Sequence, residues 1–222
     1  MKKEIDSIIF DLGGVLIDWN PDYVYLNEFK GDKKKMNWFY QNICTMDWNE
    51  NQDAGYPIKD ATEEKIKEFP EFENLIKIYY GRWEEMLKGE INGSVEILKK
   101  LIQLNKYKII ALTNWSNETF PVAKKRFNFL KLFHGIVVSG EEKTRKPYEE
   151  IYKLTINRYN LIPSRTVFID DNERNLLGAS KLSIKTIHFK NPEQLKKDLI
   201  KLKILWKLPF IIIQDAGNQE KL

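Results

Sequence analysis

From about residue 94 to residue 203, short apolar runs alternate with amphipathic stretches, and this alternation limits the folds open to the chain more than any other feature. Val95, Ile97, Leu98, Leu101 and Leu104 predict a helix ending near Asn105, and residues 107–112 (YKIIAL) read as a buried strand. A helix is expected from about Asn117, a strand over 134–139, and a helix begun by Pro147 that carries Ile151, Leu154 and Ile156. A strand over 166–169 follows, then a helix through Ala179, a short strand over 185–188 and a helix from Pro192 to about Lys203. Strands and helices taking turns at this spacing predict an α/β fold with a parallel sheet and right-handed crossovers. Ile8, Ile9 and Phe10 add an earlier strand, apolar throughout and so expected to be buried on both faces.

Residues 16–90 differ in character. They hold Trp19, Trp38, Trp48 and Trp83 and no strong β-branched run. Phe69, Phe72, Leu75, Ile76 and Tyr79 recur at helical intervals, Asp60-Ala-Thr-Glu-Glu resembles a helix start, and Pro57 and Pro70 punctuate. The expectation is an α-helical module inserted after the first strand, with residues 1–15 and 91–204 forming the sheet domain. Most of its aromatics are expected in a core. Trp19, Asn20, Trp48 and Asn49 are expected in loops, where they can face a substrate. For residues 205–222 an edge strand, a packing arm and a frayed tail all stay open.

Length and composition narrow the partners. A chain of 222 residues suits a core domain plus an insert, and 42% hydrophobic content is enough for a sizeable core. The net charge of +4 comes from 36 basic against 32 acidic residues, without the concentrated basic stripe that nucleic-acid binding demands, so no nucleic-acid partner is expected. Cys44 is the single cysteine, which excludes an intrachain disulfide. Asp6 and Asp11 bracket too short an apolar run for a signal peptide, and no run approaches the roughly 18 residues that span a bilayer. A cytoplasmic monomer or weak dimer with no membrane partner is expected.

Each confident strand ends in a residue capable of chemistry: Asp11, then Thr113, then Asp170 with Asp171, while Lys146 stands in a polar loop after the third. Strand ends of one polarity gather on one edge of a parallel sheet, where open α/β folds place their sites. Taken singly, Thr113-Asn114 and Asp170-Asp171 read equally well as helix caps and Lys146 as a surface lysine. Together they form a set. Asp11 and Asp171 offer hard oxygens suited to Mg²⁺, Thr113 a hydroxyl and Lys146 a cation for a phosphoryl group, and Asp11 a nucleophile. Gly13 and Gly14 let the backbone turn and bring its N–H groups near an anion.

These stretches resemble the haloacid dehalogenase (HAD) superfamily. FDLGGVL (10–16) is similar to its first motif, LTNWS (112–116) to the second, RKPYEEIY (145–152) to the third and FIDDNERN (168–175) to the fourth. The resemblance spans about residues 5–200. It implies a Rossmann-like core, a small α-helical cap that excludes water, and Mg²⁺-dependent hydrolysis of a small phosphorylated metabolite through an aspartyl-phosphate. It implies Asp11, Thr113 and Lys146 as catalytic residues, and Asp11, Asp171, Asp170 and the Gly13 carbonyl around the metal. Leu12, Gly13, Thr113, Asn114, Lys146, Trp19 and Trp48 are the candidates for phosphate and substrate contact.

One position departs from the pattern. Phosphatases of this kind carry a second aspartate two residues after the nucleophile as general acid, and here that position is Gly13. Positioned proton transfer is typically worth about 10²–10⁴ in rate, so a substitute matters. Asp18, Asp22 and Asp47 are conceivable, and nothing in the sequence selects among them. Gly13 is compatible with two other readings: a metal-free 2-haloacid dehalogenase, whose fourth motif generally lacks paired acids, and a binding module without turnover.

Overall fold

The computed structural model describes residues 4–206, so most of the C-terminal stretch from 205 onward lies outside the described residues. In chain order the strands are β1 (Ser7–Phe10), β2 (Ile17–Trp19), β3 (Leu87–Glu90), β4 (Lys108–Thr113), β5 (Gly135–Val138), β6 (Thr166–Asp170) and β7 (Lys185–His188). Between β2 and β3 lie α1 (Asp22–Glu28), α2 (Lys33–Asn42), α3 (Met46–Asp53), α4 (Ile58–Glu68) and α5 (Glu73–Gly81). After β3 come α6 (Asn92–Gln103), α7 (Phe120–Arg126), α8 (Ser139–Glu142), α9 (Glu149–Arg158), α10 (Glu173–Ser180) and α11 (Pro192–Lys201). Among the described residues no helix is long and apolar enough to cross a membrane.

The main sheet has five strands in the order β5-β4-β1-β6-β7, paired in parallel throughout. The pleat explains why these strands are apolar on both faces. Ile8 and Phe10 of β1, Ile109 and Ala111 of β4, and Val167 and Ile169 of β6 all join one core. Their neighbours Ile9, Ile110, Leu112 and Phe168 join the other, against Ile151 and Tyr152 of α9 and Leu176 and Ala179 of α10. Helices cover both faces, so the middle positions of these strands are apolar and the polar residues Ser7, Thr113, Thr166 and Asp170 stand at their ends. The α6 stripe Val95, Ile97, Leu98 and Leu101 and the α11 pair Leu195 and Leu199 belong to the first core, as their spacing requires.

β1 is the centre of this order, with β4 and β5 on one side and β6 and β7 on the other. The chain reverses its direction of travel across the sheet here, and a crevice opens at such a point beyond the carboxyl ends of the strands. Asp11 follows β1 directly, at the mouth of that crevice. The α/β parallel sheet expected from the sequence is the fold observed.

The segment between β2 and β3 is helical but differs in detail from its sequence reading. Its two ends pair as an antiparallel ribbon, Ile17 opposite Glu90 and Asp18 opposite Gly89, with a register shift before Trp19. Three-residue strands carry too little alternation to stand out in a sequence. Trp19 therefore lies in a strand, and Trp48 and Asn49 lie inside α3 rather than in loops. Thr45 starts that helix, its hydroxyl accepting from the Trp48 N–H at 3.1 Å. Pro70 splits the expected run of Phe69 to Tyr79: α4 stops at Glu68, a 3₁₀ turn covers Pro70–Phe72, and α5 resumes at Glu73.

The aromatics of this segment pack on one another, as expected. Tyr25 meets Phe39 at 5.3 Å between ring centroids, and Trp48 meets Tyr79 edge-on at 5.2 Å. Buried Tyr25 keeps a partner for its hydroxyl, which donates to the Leu75 carbonyl at 2.7 Å.

Phe168 is fully buried in β6, with the Tyr152 ring 5.9 Å away. Phe168→Ala is expected to lower the unfolding free energy by about 3–5 kcal/mol, read as a shift in urea midpoint.

Candidate active site

The chemistry-bearing side chains meet around Lys146. Its ammonium is fully buried and lies 2.9 Å from Asp11 Oδ2 and 2.7 Å from Asp170 Oδ2. Burial alone disfavours a charged lysine, yet the two carboxylates outweigh it and hold the ammonium above its ordinary range. Asp11 feels the converse. Burial pushes its carboxyl well above the usual value; Lys146 opposes this, and the charges of Asp170 and Asp171 reinforce it. Asp171 is also raised, by burial first and by Asp170 second.

Backbone and amide groups hold these charges in place. Asn114 and Lys146 form a reciprocal pair: the Lys146 N–H donates to Asn114 Oδ1 at 2.9 Å, and Asn114 Nδ2 donates to the Lys146 carbonyl at 2.9 Å. The end of β4 thus fixes the loop after β5. Asp170, fully buried, accepts from Lys146, from the Asn172 N–H at 2.7 Å and from Asn175 Nδ2 at 3.1 Å to each oxygen. The Asn172 side chain caps α10 by accepting from the Arg174 N–H, so neither aspartate is the cap. Asp171 faces the cavity, with its backbone carbonyl 3.0 Å from His188 Nε2.

The turn after β1 is shaped to this cluster. Gly14 has φ +70°, and a Cβ there would stand 2.2 Å from Asp171 Oδ2. A side chain is excluded on both counts. The Leu12 N–H donates to Asp11 Oδ1 at 2.7 Å, while its side chain is fully buried in the core.

Asp11, Asp170 and Asp171 each offer an oxygen, and these atoms lie within 4.8 Å of one another. The set is all carboxylate, which suits a hard divalent cation such as Mg²⁺ and not a softer metal. A cation there also relieves the repulsion that raises Asp11 and Asp171. The cluster fits the group. Within it, Asp170 already accepts from Lys146 and two asparagines, so Asp11 and Asp171 are the better placed donors.

The cluster opens into a cavity of about 310 Å³. Asp11, Gly13, Gly14, Asn114, Lys146, Asp171, Asn172 and Asn175 line it from the sheet domain, and Trp19, Met46, Asn49, Glu50, Asp53, Tyr80 and Trp83 line it from β2 and the segment between β2 and β3. Of the sequence candidates, Asp11, Gly13, Asn114, Lys146, Asp171 and Trp19 line it. Thr113 and Asp170 stand behind the wall, buried. Trp48 is not part of it: its indole N–H donates to the Ala61 carbonyl at 3.4 Å, away from the cluster. Asp18, Asp22 and Asp47, the conceivable proton donors, are absent from this wall among the described residues.

Sequence reasoning named Asn49 as able to face a substrate but passed over Met46, Glu50 and Asp53 of the same α3 face. Met46, Asn49, Glu50 and Asp53 are spaced three and four apart, which puts them on one side of a helix, and all four line the cavity. That polar stripe within an aromatic-rich segment was the available signal. Glu50, 5% exposed, pairs with Arg145 at 2.8 Å and with Arg174, joining α3 to the loop after α8 and to the first turn of α10.

Comparison with known proteins bears on the family and the fold. The haloacid dehalogenase-like hydrolase family matches residues 8–189. A Thermotoga maritima protein named phosphorylated carbohydrates phosphatase is 24% identical over 196 residues, 83% of this chain and 84% of that protein. A HAD family enzyme from Bacteroides thetaiotaomicron, solved as a magnesium complex, superposes with a TM-score of 0.66 at 23% identity, covering 85% of this chain and 95% of that one. A HAD-like family hydrolase from Porphyromonas gingivalis gives a TM-score of 0.67 at 20% identity, covering 90% and 98%.

Two outcomes test this geometry. Lys146→Ala leaves two buried carboxylates without their cation and is expected to destabilise the fold by about 3–5 kcal/mol. The loss should shrink as pH falls, because Asp11, whose carboxyl burial already pushes up, takes a proton and its repulsion with Asp170 is removed; denaturant unfolding at two pH values measures both. Gly14→Ala is expected to displace Asp171 and abolish any rise in melting temperature on adding Mg²⁺, read by calorimetry.

Proposed function

This chain belongs to the haloacid dehalogenase-like hydrolase family, and on that premise we propose that it is a phosphatase acting on a small phosphorylated metabolite. The observation that carries this reading is the three-carboxylate cluster, two of its members lining the cavity, with Lys146 paired to Asp11 and Asp170. A haloacid is itself an anion, and Asp171 at the cavity wall would repel it. A cluster that gathers a cation turns the same charges toward a phosphate.

In this mechanism Asp11 attacks phosphorus and forms an aspartyl-phosphate, which water then hydrolyses. Lys146 balances the phosphoryl charge and, through Asp170, is held in one position. Asp11, Asp171 and the Gly13 carbonyl would hold Mg²⁺, which would supply charge neutralisation to the phosphoryl oxygens. Asp170 serves chiefly to orient Lys146, since its own oxygens are already hydrogen-bonded. Thr113 is assigned the phosphoryl hydrogen bond by its place in the second motif. Trp19, Tyr80 and Trp83 with Asn49 and Asn114 offer aromatic faces interleaved with amides. Such a wall suits a polyhydroxylated group, in line with the phosphorylated carbohydrates of the Thermotoga relative's name.

Phosphate release from 4-nitrophenyl phosphate is the test, with Mg²⁺ and with chelator. Turnover is expected only with metal, and Asp11→Asn is expected to abolish it because an amide is no nucleophile. Metal-independent chloride release from a 2-haloacid, without phosphate release, would overturn the reading.

A further inference from the structure

Gly13 carries no proton, yet a leaving alkoxide needs one. A carboxylic acid outside the cluster lines the same cavity as Asp11: Asp53, at the last position of α3. Although it belongs to the helical segment, the sheet domain holds it. Its backbone carbonyl accepts from the Ser139 hydroxyl, which directly follows β5, and the Ser116 N–H, just beyond β4, points at its carboxylate. Asn49 Nδ2 donates to its Oδ2 at 3.1 Å, and the Tyr80 hydroxyl in turn donates to Asn49 Oδ1 at 3.0 Å. Asp53 is thus anchored to the same strand-end edge that carries Asp11 and Lys146.

We propose that Asp53 is the acid–base residue of this site, protonating the leaving oxygen of the substrate and then deprotonating the hydrolytic water. The assignment rests on the phosphatase reading. In the first step Asp11 forms a bond to phosphorus, the bond from phosphorus to the leaving oxygen breaks, and the Asp53 proton moves to that oxygen. In the second, water attacks phosphorus and gives its proton to the Asp53 carboxylate, the bond from phosphorus to Asp11 breaks, and phosphate leaves. Asp53 ends protonated and Asp11 ends as carboxylate, so the cycle closes with one water consumed.

The surroundings suit an acid that must hold a proton near neutral pH. Asp53 is pushed up to about 7, by burial first and by the Glu50 charge second; the Ser116 N–H, Arg145 and Lys146 oppose the rise. Tyr79 and Tyr80 of α5 face it as well, and its charge adds to what holds both phenols neutral. Glu50 is itself paired with Arg145 and Arg174, so its effect on Asp53 depends on that pair staying closed.

The experiment compares phenyl phosphate with 4-nitrophenyl phosphate, similar in shape but unequal in their need for leaving-group protonation. Leaving-group release is followed in a single turnover, for the wild-type chain and for Asp53→Asn, with Mg²⁺. Asp53→Asn is expected to slow phenol release about 10²-fold or more beyond its effect on 4-nitrophenolate release. The wild-type rate with phenyl phosphate should fall as pH rises through about 7, where Asp53 loses its proton, and the variant should lack that limb. Equal slowing of both substrates, or an unchanged limb, would overturn the assignment while leaving the phosphatase reading intact. A wild-type chain inert toward both would overturn that reading, and the assignment with it. If Asp53→Asn does not fold by circular dichroism, Asp53→Glu gives the same readout: a displaced limb is expected, and an unmoved one overturns the assignment.

Discussion

A lysine ammonium sealed between two carboxylates is the interaction on which this site depends. Removing a cation from water costs several kcal/mol, and here Asp11 and Asp170 repay it at 2.9 and 2.7 Å. The repayment works only while every partner is held, because a half-satisfied buried charge is worse than none. That requirement accounts for the polar residues packed around it. Asn175 reaches from the first turns of α10 to both oxygens of Asp170, and Asn114 and Lys146 fasten each other's loops. Three strand ends become one rigid unit.

The helical segment is tied to this unit at one helix. Glu50 of α3 pairs with Arg145, the neighbour of Lys146, and with Arg174, the neighbour of Asn175. Ser139 grips the end of the same helix through the Asp53 carbonyl. Any shift of α3 is therefore felt at residues adjacent to those that position Lys146 and Asp170. The cavity has two kinds of wall as a result: on one side strand ends fixed by the sheet, on the other a helix face fixed by a few ion pairs and hydrogen bonds.

Much of this architecture was legible before any coordinates. The strands of the sheet were readable because helices cover both of its faces, leaving apolar runs without gaps, as in Ile8, Ile9 and Phe10. The candidate residues Asp11, Lys146 and Asp171 were readable because each follows such a run. The misreadings have equally physical causes. Trp48 and Asn49 sit among polar residues and looked like a loop, but Thr45 caps a helix there and tertiary contacts complete it. The β2–β3 ribbon joins residues about seventy positions apart, and no local pattern announces a pairing of three residues with four. Asp170 and Asp171 are neighbours in sequence, yet the fold turns one inward to Lys146 and leaves the other facing the cavity.

The sequence by itself determined the parallel α/β sheet and the order of its motifs, because both follow from short-range patterns of burial and turning. It also determined that one carboxylate, one ammonium and a pair of carboxylates end on a single sheet edge, since parallel strands leave no alternative. Only the tertiary structure decided which of those groups touch, how they are charged, and what stands opposite them. Contacts such as Lys146 with Asp170 or Glu50 with Arg174 join residues distant in sequence, and their geometry depends on ångström-scale packing that no periodicity encodes. Asp53 shows the difference most plainly: in the sequence it is one acid among many on a polar stretch, and in the fold it is an acid raised toward neutrality in the cavity that Asp11 also lines.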